Sequence, residues 1–174
     1  MDATHFPFVH DAMLGEEGDP VALDDYEVER TEEGLRTGPI TVSQPVGDHR
    51  RVPVTSVYRY WIPRPLVSYL MKNLDEERCF SHLMPVTPVD EGISLLWVLT
   101  SVNFDKDGVH SRVTARNDEI FGQDIPVIES QRPNEIPQDL HQELHVRADK
   151  LSVLYRRWLG ELGFGEAVRP DRVV

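Results

Sequence analysis

The sequence predicts an α+β fold, an antiparallel β-sheet with a long C-terminal helix packed on it. Three observations carry that prediction. Strand-like segments follow one another from Tyr26 to Thr100, an order that favours an antiparallel sheet over βαβ units. The last third then turns helical, with one apolar stripe. A length of 174 residues with 40% hydrophobic content suits one domain around one core.

Each element follows from its own residues. The opening MDATHFPFVHDA reads as a short helical or turning segment interrupted by Pro7. Between Glu16 and Glu33 nine acids stand against one base, Arg30, which reads as a solvated face without a function. Tyr26, Val28, Leu35 and Ile40 alternate with polar residues and are broken at Gly34 and Gly38–Pro39. Val52–Ile62, Cys79–Val86 and Ile93–Phe104 are rich in β-branched and aromatic residues and bounded by Pro, Gly or Asp, so they predict strands. Pro63–Lys72 reads as a crossing segment or short helix. Val109–Gln131 is helical but contains Gly122 and Pro126, which predicts a kink or break near Pro126. After a turn at Arg132–Pro133–Asn134, a long helix is expected from about Pro137 to Leu162, with Gly163 as its stop. Its stripe comprises Leu140, Leu144, Ala148, Leu151, Tyr155, Trp158 and Leu162. Lys150, Arg156 and Arg157 lie toward its C-terminal half, where the helix dipole favours cations.

Charge and composition exclude several classes of function. A net charge of −12 and the absence of a basic cluster argue against nucleic-acid binding. No apolar run approaches the ~20 residues of a bilayer-spanning helix, so no membrane partner is expected. The first residues have neither the basic nor the apolar region of a secretory signal, which predicts a cytoplasmic protein. The single cysteine, Cys79, excludes a disulfide framework, a Cys-based zinc site and an iron–sulfur cluster within the chain. In a strand it reads as a small buried hydrophobe.

The sharpest chemical feature is Asp2-x2-His5-x4-His10. Two histidines five apart would stand ~140° apart on a straight helix, but Pro7 between them permits a local bend toward a common ion. Phe6, Phe8 and Val9 would shield such a site from water. Asp2, three residues before His5, is within reach to hold the histidine proton that faces away from a metal. The second feature is FGQDIPVIESQ. Asp124 there is flanked by apolar residues, where a carboxylate is costly unless it is paired or bound to a cation. It is either a ligand or a cap for the turn before Pro126, and Asp118, Glu119 and Glu129 are local competitors. Two histidines and one carboxylate suit a facial triad for ferrous ion, although zinc accepts the same donors. His141 and His145 mimic a zinc-protease helix, but Gln142 stands where the general base should follow the first histidine. These two, with His49, His82 and His110, read as surface residues.

The opening MDATHFPFVHDAMLG, the segment FGQDIPVIESQ, YRYWIPRP and PVTPVDEGISLLWVL together resemble the catalytic domain of Rieske-type non-heme iron ring-hydroxylating oxygenases. The likeness is strongest to vanillate demethylases, phenylpropionate-type dioxygenases and ketosteroid hydroxylases, and it covers essentially the whole chain. It implies a helix-grip, Bet v 1-like fold. It implies a mononuclear Fe(II) held by His5, His10 and Asp124, with Asp2 as the catalytic carboxylate linking the iron to a neighbouring subunit's cluster in the family's trimers. Also implied are dioxygen and a small aromatic or cyclic substrate, which would be hydroxylated or demethylated, and a reductase with a Rieske domain as electron source. Phe6, Phe8, Trp61, Trp97 and Phe121 are the candidate substrate-binding walls.

No Rieske ligand set occurs in the sequence, so residues 1–174 are expected to be the C-terminal, iron-binding catalytic domain, N-terminally truncated. A gene fragment, a mis-called start and a degenerate homologue all fit that expectation. The alternative function is a helix-grip module that binds an apolar ligand without turnover.

Overall fold

A computed structural model of the chain describes residues 3–10, 12–15, 26–47, 49–104, 109–137 and 139–164. Its elements in order are α1 (Phe6–Val9), β1 (Val28–Thr31), β2 (Gly34–Thr37), β3 (Ile40–Gln44), β4 (Val54–Arg64), β5 (Val67–Asn73), β6 (Cys79–Asp90), β7 (Ile93–Leu96), β8 (Leu99–Val102), α2 (Val109–Glu129) and α3 (Lys150–Glu161). Every strand pairing is antiparallel, as the succession of strand segments predicts.

Strand β4 is the spine of the sheet. Along one edge it pairs with β3 through Ile40↔Tyr58 and with β2 through Leu35↔Ile62. Along the other it pairs with β5, which pairs with β6. The free edge of β6 takes β8 beside its first half and β7 beside its second. Gly34 closes the β1–β2 hairpin at φ 110°, and a Cβ there would lie 1.9 Å from the Ile62 carbonyl oxygen. Only glycine meets both conditions.

Alternation along β4 decides what is inside. Ser56, Tyr58, Tyr60 and Ile62 are buried, whereas Val57, Arg59, Trp61 and Pro63 face the other way. The buried face joins Leu35, Ile40 and Val42 to Phe6, Met13 and Leu14 from the N-terminal segment, and to Leu151 and Trp158 from α3. Among the described residues no helix is long and apolar enough to cross a membrane.

Three expected elements are corrected. Pro63–Lys72 is neither a crossing segment nor a helix: β5 begins at Val67 after a two-residue turn at Pro65–Leu66, with Arg64 opposite Val67. Val67 and Tyr69 suit a strand, and six residue pairs with β4 and seven with β6 hold it there. Helix α2 does not break at Pro126 but continues to Glu129. The proline lies within the last turn, and Ser130 N–H closes the helix onto its carbonyl at 3.1 Å.

The helix expected from Pro137 to Leu162 is reduced to α3, preceded by two short 3₁₀ turns at Leu140–Gln142 and Arg147–Asp149. Local side chains compete for the backbone there. Asp139 accepts from His141 N–H, and Asp149 accepts from Val146 N–H at 2.8 Å. Tyr26 then fixes the start of α3, because its hydroxyl donates to Ala148 carbonyl at 2.8 Å and accepts Leu151 N–H at 3.0 Å. Leu144, an expected stripe residue, is 92% exposed. The C-terminal stop at Gly163 does occur: its φ is 80°, and Phe164 N–H returns to Leu159 carbonyl at 2.9 Å.

Candidate metal centre

His5 and His10 flank the single turn of α1, His5 at its N-terminal cap and His10 at its C-terminal cap. Pro7 occupies the first turn, where its missing N–H is not needed, so it does not bend the helix. The two rings approach because His10 leaves helical geometry, at φ −116° and ψ 40°. Their centroids are 5.1 Å apart. Phe6 buttresses both rings, 4.9 Å from His5 and 6.0 Å from His10, and rests against Tyr58 of β4 at 5.5 Å.

Asp124 comes from the distant α2 to complete the cluster. It sits inside that helix rather than capping a turn, which removes the alternative role. Its Oδ1 lies 3.1 Å from His10 Nε2 and 3.6 Å from His5 Nε2. One donor atom from each of the three residues lies within 4.8 Å of the others. Two donors bound at right angles to one ion at about 2.1 Å stand about 3 Å apart, so the spacing suits a shared cation. Asp118 and Glu129 are exposed, and Glu119 pairs with Arg51.

A fourth residue, Gln123, orients the centre. His10 is 1% exposed, and its Nδ1 lies 2.8 Å from Gln123 Oε1. An amide oxygen only accepts, so Nδ1 carries the proton and Nε2 presents its lone pair toward Asp124 and His5. Burial disfavours the His10 imidazolium, but the hydrogen bonds to Asp124 and Gln123 and the charge of Asp124 outweigh it and raise the pKa. The residues fit a hard or borderline divalent metal: two imidazoles, one carboxylate and no thiolate, with one histidine tautomer already set. Sequence reasoning passed over Gln123, and its only signal there is its place next to Asp124.

Other expected positions fall elsewhere. Asp2 lies outside the described residues. Phe121 is on α2 and meets the ring of His82 at 5.7 Å. Phe8 and Trp97 are exposed, and Trp61 is on the β4 face opposite Tyr58, under the Arg36 guanidinium. Of the proposed walls, Phe6 and Phe121 stand beside the centre's own elements. His141 is exposed, and His145 binds the Leu140 carbonyl, so neither joins a cluster. His49 and His82 are not surface residues: His49 is buried against Phe104, and His82 is buried between Phe80 and Phe121. Cys79 is half-buried, and burial pushes its thiol pKa up.

Known proteins share the sequence and fold of this chain. Residues 1–163 match the family described as the vanillate O-demethylase oxygenase C-terminal domain. The chain is 35% identical over 169 residues to the probable methylxanthine N7-demethylase NdmC of Pseudomonas sp. (strain TJI-51), covering 92% of this chain and 58% of that protein. A shorter stretch of 58 residues is 50% identical to the methylxanthine N1-demethylase NdmA of Pseudomonas putida. Pseudomonas putida CBB5 NdmB has a similar structure, with a TM-score of 0.73 at 25% identity over 95% of this chain and 45% of that one. The NdmA QL mutant with theobromine gives a TM-score of 0.71 at 24% identity, covering 93% of this chain and 44% of that one, a likeness of fold. The chain thus spans about half the length of these relatives. With the profile matched across nearly its whole length, the chain belongs to the vanillate O-demethylase oxygenase C-terminal domain family of Rieske-type oxygenases.

Proposed function

We propose that residues 1–174 are the iron-binding catalytic domain of a dioxygen-dependent demethylase acting on a small, flat ring compound, with methylxanthines as the leading substrate class. The observation that carries this reading is the convergence of His5 and His10 from α1 with Asp124 from the distant α2, with Gln123 fixing the tautomer of His10. The names of the relatives support demethylation and the methylxanthine class.

His5, His10 and Asp124 would hold Fe(II), leaving part of its coordination sphere open. The ion, when bound, supplies dioxygen activation beside the substrate. The protein's own contribution is structural and electrostatic. Gln123 keeps the His10 lone pair aimed inward, while Phe6 and Tyr58 pack behind the ligands and keep them from collapsing into the core. Demethylation of this kind inserts one oxygen atom into a methyl group, which leaves as formaldehyde, and reduces the other to water with two external electrons. Cys79 alone cannot hold a cluster, so those electrons come from a Rieske domain and reductase beyond these residues. Asp2 is our candidate for the link between that donor and the metal, and a trimer of the kind found in the family is the corresponding assembly.

Iron content tests the reading. Wild-type protein reconstituted with Fe(II) under anaerobic conditions should bind about one ion per chain. His5→Ala and His10→Ala should lose it, and His141→Ala should retain it. Equal iron in all four proteins would remove the assignment.

A further inference from the structure

The backbone behind His10 is held as deliberately as its ring. The His10 carbonyl accepts two N–H groups, from Met13 at 2.9 Å and from Leu14 at 3.0 Å. Those two residues offer their own carbonyls to the turn that follows β3. Met13 carbonyl accepts Val46 N–H at 3.0 Å, and Leu14 carbonyl accepts from Gln44 Nε2 at 3.4 Å. The turn is in turn fixed by two buried cations: Lys72 of β5 donates to the Gly47 carbonyl and Arg116 of α2 to the Val46 carbonyl. A charged donor makes a hydrogen bond about twice as strong as a neutral one, and a buried cation is costly without such bonds. The turn also has no slack, because a Cβ on Gly47 would lie 1.9 Å from Val54 Cγ1.

Arg116 precedes Gln123 by seven residues, two turns of α2 and about 10.5 Å of rise, so the two share one face of the helix. The contacts then close into a ring. Arg116 bonds Val46, Val46 bonds Met13, Met13 bonds His10, and His10 returns to α2 through Gln123. Gln123 Nε2 also reaches Met13 Sδ at 4.0 Å, which ties the two arms together. Helix α2 therefore grips the His10 segment at two levels, once through the imidazole and once through the turn. A single attachment would leave the ring free to pivot about it, whereas two attachments on one rigid helix fix its direction.

We propose that Arg116 is a positioning residue for the metal centre: by bonding the Val46 carbonyl it sets where the His10 ring meets Gln123 and Asp124. This rests on the metal-binding reading above and extends it to a residue two helical turns away. Arg116 is not itself a ligand, since a guanidinium keeps its protons and has no lone pair to give. Its effect reaches the centre through Val46 and Met13, and it is the orientation of His10 that it controls.

The test uses the full chain and two readouts. In metal-free protein, ¹H–¹⁵N spectra follow exchange of the His10 Nδ1 proton, which is protected while it is bonded to Gln123. Titration against a chelator gives the Zn(II) affinity. Arg116→Met keeps the length of the side chain and removes its donors, whereas Arg116→Lys keeps a cationic donor. Arg116→Met should speed exchange of the His10 proton and weaken Zn(II), each about tenfold, and Arg116→Lys should recover both to within about threefold of wild type. Tyr26→Phe, which weakens the start of α3, is the control for lost stability and should move neither readout. Both readouts within twofold of wild type in folded Arg116→Met would overturn the proposal, and so would equal changes in Tyr26→Phe. If Arg116→Met does not fold, wild-type protein decides. Saturation with Zn(II) holds the ring, so by reciprocity it should slow exchange of the Val46 and Met13 amide protons at least about threefold relative to Gly38 N–H, which bonds the Glu27 carbonyl. No change in that ratio would overturn the proposal. Failure of the metal-binding reading would show separately, as wild-type protein that takes up no Zn(II) while its metal-free His10 proton still responds to Arg116→Met.

Discussion

Replacing Gln123 by leucine removes the acceptor of the His10 Nδ1 proton while keeping a side chain of similar volume. The bond is 2.8 Å long and His10 is 1% exposed, so water cannot readily take the place of the amide. The ring then has two options. It keeps the tautomer and leaves a buried N–H unsatisfied, at a cost of about 1–3 kcal/mol. Or it moves the proton to Nε2, donates to Asp124 and withdraws its lone pair from the centre. Either way metal affinity falls, by about 10–100-fold or roughly 1.4–2.7 kcal/mol, the usual size of a lost partner behind a ligating histidine. Competitive titration of Co(II) against a chelator measures this directly. Gln123→Glu, which keeps an acceptor and adds charge, should bind the ion at least as tightly as wild type. Co(II) affinity in Gln123→Leu within twofold of wild type, with the His10 tautomer unchanged in ¹⁵N spectra, would refute the argument.

Three other outcomes follow from the geometry. Asp124→Asn should lose metal while its unfolding free energy from urea titration changes by less than about 1 kcal/mol, since the residue is inside α2 and caps nothing; a large loss of stability would assign Asp124 to the fold. His82 is pushed down to about 4 from 6.5, so the unfolded chain binds its proton first as pH falls. Its stabilising contribution is complete above pH 6.5 and lost toward pH 4, on the order of 3 kcal/mol, and urea titrations of His82→Phe should lack that part of the slope. Tyr26→Phe deletes a hydroxyl that bonds both Ala148 carbonyl and Leu151 N–H, so it should cost about 1–2 kcal/mol and fray α3 at its start; a far-UV circular dichroism melt unchanged from wild type would contradict this.

The sequence by itself determined the strand-rich middle and the helical end, and it singled out His5, His10 and Asp124, which the fold brings together. Alternation in Val54–Ile62 and the turn glycine Gly34 are local properties, written in residue type and spacing. The resemblance of two ordered motifs to one family joins His5 and His10 to Asp124. Tertiary structure decided the rest, because the deciding partners are far apart in the chain. Helix α3 begins at Lys150 because Tyr26, from the strand region, takes Leu151 N–H, whereas the apolar periodicity of Leu140 and Leu144 continues into 3₁₀ turns. Pro63–Lys72 is ambiguous by composition, and β5 forms because β4 and β6 lie on either side of it. Histidine identity says nothing about burial: His141 is on the surface, while His82 is enclosed by β8 and α2 and meets Thr100 only through the register of β6 on β8. Gln123 acquires its role from a contact 113 residues away, which no local pattern encodes.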